Sequence, residues 1–552
     1  MGRVWSVDSV AKNDSTSRYG SIIGLSESPL VEGLIYVGTD DGLISVTEDG
    51  GKTWRSEKRF RGVPEMAYVD DLVASVHDPD VAYAVIDNHK RGDYRPYVLK
   101  TTNRGKSWRL ISAGLPERGF AHTLAEDHED PNLLFVGTEF GLHFSQDGGR
   151  SWHEFTQLPT IAVRDLEIQR RESDLVIGTF GRGIYILDDY SPLRSPAGAL
   201  KGASATLFPV KDAWIYIESD YFDDRVRGSR GADFWRAENP PLGAVFSYYL
   251  PEALESAREQ RRAAEIRIEK TGGDTPYPAW DALRAEDREE APALELIVRD
   301  EQGQLVRVVP GKTAAGFHRV AWDLRLPPPD PVNLTPDPNP PYWVSPPMGP
   351  LALPGRYTVQ LAVRRDGERR PIGEPRSFTL KVLPLSPEIT DDRRSLQAFQ
   401  QRAGELQRRV AGAATLSGEL NQRIAQLRVA LRDTSGDTEA LRARLNALSD
   451  RLDELNRGLI GDTSVTSRNE SAPWSLKARA GWVYAATLES QSAVPGEYRK
   501  SLAIASEQYA NLAPALDALV TDLEQLEADA DRAGAPWTAG RVPRPLSAET
   551  AR

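Results

Sequence analysis

The stretch PNLLFVGTEFGLHFSQDGGRSW (Pro131–Trp152) decides how the first third of the chain is read. An apolar run, a short turn at Glu139-Phe140-Gly141, a second apolar run and then SQDGGRSW (Ser145–Trp152) follow one another without a gap. The octet recurs as TEDGGKTW (Thr47–Trp54) and, one residue shorter, as TNRGKSW within Thr101–Trp108. The paired runs recur in LIYVGTDDGLISV (Leu34–Val46) and LVIGTFGRGIYIL (Leu175–Leu187), the last without a following octet. Upstream of each pair sits another strand-like piece: SIIGLSESP, DDLVASVHDP, HTLAEDHEDP and DLEIQRRES. Ile22, Leu72, Leu124 and Leu166 serve as anchors, and a four-strand unit repeating at that spacing predicts β-propeller blades over 1–190.

Within the octet, Asp49, Asn103 and Asp147 can accept hydrogen bonds from the backbone of their own turn. Gly51, Gly105 and Gly149 can supply positive φ. Trp54, Trp108 and Trp152 are expected to bury large rings between neighbouring sheets. The motif is therefore scaffold, and recognition belongs at the opposite ends of the sheets. The turns there are Asp40-Asp41-Gly42, Asp87–Tyr97, Glu139-Phe140-Gly141 and Gly181-Arg182-Gly183. The starts of the innermost strands are Gly20-Ser21, Asp70-Asp71, His122-Thr123 and Arg164-Asp165. Asp40, Asp41, Glu139, His122, Arg164 and Arg182 are the candidate ligand-binding residues. Asp70, Asp71 and Asp165 are the carboxylates available for glycoside hydrolysis, which needs two, spaced about 5–5.5 or 6.5–9.5 Å apart. The same groups can instead cap turns or pair with Arg164 and Arg182. Nothing in the spacing of Arg95, Arg164 and Arg182 sets up a sialidase-like arginine triad.

Beyond the repeat, 191–242 reads as a connection and 243–385 as a second β domain. The latter carries a charged helical insertion at 251–290 and a proline-rich loop at 327–354. Residues 388–532 change period. Leu396, Phe399, Ala403, Leu406, Val410, Ala413, Ser417, Leu420, Ile424, Leu427 and Leu431 are spaced alternately by three and four. Leu441–Leu459 and Leu512–Leu526 follow the same rule, giving coiled-coil-like seams of an antiparallel helical hairpin or small bundle. A tail follows from 533. The aromatic loops Phe222–Arg236 and Pro340–Pro347 are read either as binding loops or as inter-domain clasps.

The three octets resemble the Asp-box (BNR) repeats of sialidases, xyloglucanases and sortilin-type propellers. RYGSIIGLSESPLVEGLIYVGTDDG (Arg18–Gly42), Pro131–Trp152 and GTFGRGIYILDD (Gly178–Asp189) are similar to bacterial BNR-repeat glycosyl-hydrolase-like and sortilin-like proteins. Residues 294–326 followed by LPGRYTVQL (Leu353–Leu361) resemble the Ig-like domain of flagellar hook-capping proteins. The resemblance implies a partial propeller of about four blades, an Ig-like sandwich and a helical region. It also implies a periplasmic or extracellular place and a carbohydrate or polypeptide ligand. Members of that group run longer and begin with a secretion signal. This chain is therefore expected to be the C-terminal part of a longer propeller, a truncated product, or half of a split pair completed by a partner chain.

Composition sets outer limits. The 552 residues suffice for about three domains. A net charge of −12 argues against a nucleic-acid partner. The chain has no cysteine, so disulfides and thiolate chemistry drop out. No apolar run reaches the roughly 18 residues of a membrane span, and Met1–Gly20 has no apolar core of a signal peptide. The seven histidines show no metal spacing, and no nucleophile elbow or phosphate loop is present, so no metal or cofactor is expected.

Overall fold

The structure is a computed structural model that describes residues 20–195, 202, 204–217, 237, 239–341, 346–383 and 392–543. Of the two aromatic loops, Phe222–Arg236 and Tyr342–Ser345 lie outside the described residues, as does the start of the chain. The chain divides into two compact units. One comprises residues up to 209 with 247–292 and 312–319, and the other comprises 210–246, 293–311 and 320 onward.

The first unit begins with four consecutive antiparallel sheets in simple up-and-down order. Their strands are β1 (Ile22–Glu27), β2 (Ile35–Thr39), β3 (Ile44–Thr47) and β4 (Arg55–Glu57), then β5 (Tyr68–Ala74), β6 (Ala82–Asn88), β7 (Asp93–Thr101) and β8 (Arg109–Leu110). The third sheet holds β9 (Ala121–Glu126), β10 (Leu134–Thr138), β11 (Gly141–Ser145) and β12 (His153–Glu154). The fourth holds three strands, β13 (Val163–Gln169), β14 (Asp174–Thr179) and β15 (Ile184–Leu187). First strands neighbour one another along the series, β1 with β5, β5 with β9 and β9 with β13. This is a propeller-like succession, and three separate apolar clusters fill the spaces between successive sheets.

Register fixes which residues are equivalent. Leu72 pairs with Ala84, Leu124 with Val136 and Leu166 with Ile177, and their counterpart in the first sheet is Leu25, paired with Val37. The anchor Ile22 is thus displaced by three residues, because apolar residues on both sides of Gly24 disguise the pleat.

Each octet closes the hairpin between the third and fourth strands of its sheet. In the first, Thr53 donates to Asp49 from its N–H (2.9 Å) and its Oγ1 (2.6 Å), and Thr47 Oγ1 donates at 2.8 Å. The third repeats this with Ser151 and Ser145 around Asp147 at 2.9, 2.6 and 2.8 Å. In the second, Asn103 accepts from Ser107 N–H and returns a bond from its amide to Ser107 Oγ. The glycine N–H at 51, 105 and 149 donates to the leading hydroxyl at 2.9 Å each time. The bonds from Thr53, then Thr47, hold the Asp49 carboxyl at about 2. Burial pushes Asp147 up, but the bonds from Ser151 and Ser145 outweigh it and also bring it to about 2. A carboxyl lowered by folding stabilises above its ordinary value of 3.8, and loses that contribution as pH falls towards about 2. Asp147→Asn is therefore expected to lower the melting temperature at about pH 6, with the gap to the parent closing by about pH 2. A gap independent of pH in thermal melts would remove the carboxylate from this account.

The box tryptophans pack backwards onto the preceding sheet. Trp152 is buried and donates to Ile111 O at 2.8 Å, and Trp108 meets Phe60 edge to face. Trp54 departs from the expectation and stays exposed, because no sheet precedes its own among the described residues.

The first unit also carries helices α1 (Ala257–Lys270) and α2 (Trp280–Arg288), neither of which contains a buried residue. They are tied by a two-pronged Arg261–Glu286 ion pair. Strands β16 (Thr206–Leu207), β17 (Ala213–Ile215) and β18 (Ala244–Leu250) come next in the chain before the helices, and β19 (Ala293–Asp300), β20 (Leu305–Gly311), β21 (Gly316–Trp322), β22 (Gly355–Arg365) and β23 (Glu368–Val382) after them. They form a three-stranded sheet, β16-β18-β21, and a five-stranded sheet, β17-β23-β22-β19-β20. In the second unit Phe246 and Trp322 pack their rings against Phe378, and Trp322 also against Tyr357.

Four long helices follow in the second unit: α3 (Arg393–Arg432), α4 (Glu439–Leu459), then, after the one-turn α5 (Thr463–Thr466), α6 (Leu476–Leu488) and α7 (Gly496–Arg532). Every residue of the seam from Leu396 to Leu431 is buried on α3. All of them except Leu396 and Ser417 share one apolar core with α4, α6 and α7, which makes a bundle rather than a hairpin. The tail departs from expectation up to 543, since Arg541 is buried and Trp537 donates to its carbonyl at 2.8 Å. No helix among the described residues is long and apolar enough to cross a membrane.

Candidate functional site

The four innermost strands share a local irregularity that sets the site. In each, the register slips by one residue at the same place: between Ile22 and Gly24, Val69 and Asp71, Ala121 and Thr123, and Val163 and Asp165. The residues left over are Ile23, Asp70, His122 and Arg164. A β-bulge turns its extra side chain out of the pleat alternation and re-aims it. Three successive bulges thereby bring Asp70, His122 and Arg164 together, although each belongs to a different sheet. Ile23, not Ser21, is their counterpart in the first sheet.

His122 is the centre of the group, with its side chain 2% exposed. Its Nε2 lies 2.9 Å from Glu139 Oε2, and its Nδ1 lies 3.2 Å from Arg164 Nη1 and 3.4 Å from Asp70 Oδ2. Arg164 Nη2 also approaches Glu139 at 3.7 Å. The Nε2–H must donate to the carboxylate. Nδ1 then accepts from the guanidinium, or, in the doubly protonated ring, donates to Asp70 with Arg164 turned elsewhere. The ring makes a T-shaped contact with Phe120, which stacks on His89 at 4.6 Å, and His89 is in turn bonded to Asp87. Arg164 lies over the Phe180 ring at 5.3 Å. The polar atoms of Asp70, Glu139 and Arg164 reach solvent, and the exposed rings of Tyr94, Phe140 and Phe180 stand on the same set of turns and strand ends.

Other residues predicted for this face do structural work. Asp71 accepts from Thr123 Oγ1 and Leu124 N–H at 3.0 and 3.1 Å, tying the second sheet to the third, and burial raises its carboxyl. Asp40 accepts from Gly20 and Ser21 N–H, and Asp41 from Thr39 Oγ1. Asp165 bonds the N–H of the next residue. Arg95 is held two-pronged by Asp93, and Arg182 stands exposed in its turn, so the three arginines do not form a triad.

Sequence reasoning missed Ile23 as a bulge position and gave no role to Phe120, Phe140 or Phe180. The available signal was the spacing from each Gly-Thr pair (Gly38-Thr39, Gly137-Thr138, Gly178-Thr179) back to the strand it pairs with. No group of three or more His, Asp or Glu side chains among the described residues is placed to hold a metal ion.

No protein-family model and no curated protein sequence matches the chain. Similar solved structures include a GH74 enzyme from Niastella koreensis, at 14% identity over 31% of this chain and 29% of that one, with a TM-score of 0.25. Another is YCF48 bound to D1 peptide, at 17% identity over 31% and 55% of the two chains, with a TM-score of 0.23. A third is the beta-propeller domain of Cps50 (Swd1) from Myceliophthora thermophila, at 15% identity over 30% and 51%, with a TM-score of 0.24. The matched part of the chain spans between about a third and just over half of these proteins.

Proposed function

We propose that the four sheets are Asp-box propeller blades, that the two sheets of 206–382 form an Ig-like sandwich, and that the protein is a binding protein. Its ligand is a carbohydrate or polypeptide, held outside the cytoplasm in the sortilin manner. The site is the cluster of Asp70, His122, Glu139 and Arg164 with its flanking exposed rings. The observation that carries this reading is the imidazole of His122, which fills the space between Asp70 and Glu139. Hydrolysis of a glycoside needs an open gap between two carboxylates for the bond and its water. Here the gap is closed by a buried ring, which supports binding over catalysis for this pair. A guanidinium beside three exposed aromatic rings suits stacking on sugar or on peptide side chains.

The test uses the full chain on an array of neutral and acidic oligosaccharides and ten-residue peptides. Arg164→Ala and Phe140→Ala are each expected to weaken every positive about tenfold, the equivalent of about 1.4 kcal/mol. Reducing ends released from an oligosaccharide, and abolished by Glu139→Gln, would favour the hydrolase instead. Positives untouched by both substitutions would place binding elsewhere.

A further inference from the structure

The inter-sheet packing follows one rule that both ends of the series leave unsatisfied. In each interface, the residue just before the bulge of one sheet points at a fixed position on the second strand of the sheet before it. A Cβ on Gly38 would lie 2.4 Å from Val69 Cγ1, and one on Gly137 would lie 2.7 Å from Val163 Cγ1. The middle interface reverses the sizes: the equivalent positions are Val85 and Ala121, in one buried cluster. A knob thus fits a hole three times over.

The fourth sheet carries the hole without a knob. Gly178 is the counterpart of Gly38 and Gly137, yet the three atoms nearest a Cβ there all belong to Asp165 of its own sheet. Its neighbour Ile184 is 71% exposed, while the equivalent Leu142 is 0% exposed. The first sheet carries the knob without a hole. Ile22 is 62% exposed, as is the nearby Leu25 at 64%, whereas the equivalent Leu124 is at 2%. Trp54 is 47% exposed, against 6% for Trp152. The two faces left uncovered among the described residues are therefore the two halves of one more interface of the kind already present three times, and both are in the same chain.

We infer that a second copy of this chain packs head to tail on the first, Ile22 of each seated against Gly178 of the other. One such contact would leave the opposite pair of faces open, but two copies can satisfy both pairs about a two-fold axis. A heterologous interface closes into a ring when its rotation permits. Eight sheets would be within the usual propeller range of about four to eight. The occupant is a second copy because the knob and the hole it lacks are both supplied by this sequence, and because the contact continues the established inter-sheet packing. This inference stands apart from the binding reading above.

The test is sedimentation velocity on the full chain at about 50 µM and about 0.15 M salt, where surface charge is largely screened. A dimer of the 61.0 kDa chain is expected. Ile22→Asp and Gly178→Phe should each yield folded monomers by circular dichroism, since Ile22 is exposed and a Cβ on Gly178 would meet Asp165 no closer than 3.4 Å. Mixed one to one, the two variants should recover a weaker dimer, because the aspartate variant keeps its hole and the phenylalanine variant keeps its knob. A parent monomer would overturn the inference. So would a dimer indifferent to either substitution, or one that mixing fails to restore.

Discussion

Asp127→Ala is expected to destabilise the first unit by about 3–4 kcal/mol, the cost of deleting a buried, multiply bonded carboxylate and leaving Arg194 only the half-exposed Glu129 at 2.8 Å. Asp127 is fully buried at the end of β9. Its carboxylate takes both prongs of Arg194 at 2.8 Å, Tyr190 OH at 2.6 Å and the Asp130 N–H at 2.7 Å. Burial alone would raise its carboxyl, but the Arg194 and Tyr190 bonds outweigh it and hold the group below its ordinary value. Arg194 and Tyr190 follow the last strand of the fourth sheet, so this one side chain fastens that sheet's end to the third. The stretch DHEDPN invites a reading as a cation site. The cation is the guanidinium of Arg194. The measurement is amide exchange in β13–β15, which avoids assigning a single unfolding free energy to a chain of several units. Protection should fall by two to three decades, about 1.4 kcal/mol each. Adding Arg194→Met should recover part of the loss, because removing both charges spares the desolvation of the survivor. Unchanged protection in the single variant would show that the ion pair does not hold the sheet.

What the sequence made legible follows from how local each interaction is. The octets could be read because their donors and acceptors close on themselves within a few residues, as Thr47, Asp49 and Thr53 do. The seam of α3 could be read because burial at a helical period leaves its mark within one segment. Asp127 and Arg194 are 67 residues apart, and no local pattern joins them. The bulges were hidden for a related reason. A bulge belongs to a pair of strands, so Asp70, His122 and Arg164 could be placed near one rim from their position in the repeat, but the slip that aims them together appears only in the pairing. Helix α6 escaped notice because buried Leu476, Ala480, Val483, Tyr484 and Leu488 are interleaved with exposed Trp482, which blurs the stripe. Trp54 ends the same kind of turn as Trp152, but with no neighbouring sheet among the described residues its indole donates to Gly51 O of its own turn.

Gly38→Val should cost about 3 kcal/mol, and Val69→Ala in the same chain should return part of it. The added side chain has nowhere to go. Its first carbon would lie 2.4 Å from Val69 Cγ1, 2.9 Å from Val69 Cβ and 3.2 Å from Leu72 Cδ1. Forcing extra methyls into a packed core costs about 1–3 kcal/mol, and this clash is at the hard end. The nearest obstacle, Cγ1, is removed by alanine at 69, whereas the Cβ at 2.9 Å stays and has to be relieved by a small shift of the strand. The protein already contains the relieved arrangement, with Val85 on the second strand and Ala121 before the next bulge. Gly137→Val is the control that should resist rescue, because Val163 O lies 2.7 Å from the added carbon and a backbone oxygen survives any substitution. Gly178→Val should leave the isolated chain as stable as the parent, since the atoms nearest its Cβ belong to its own sheet and lie no closer than 3.4 Å. Denaturant melts of the three valine variants, the first two with and without alanine at Val69 or Val163, compare the three positions directly. Equal destabilisation at Gly38 and Gly178 would mean that glycine serves the strand's own conformation, and the knob-and-hole rule would have to be given up.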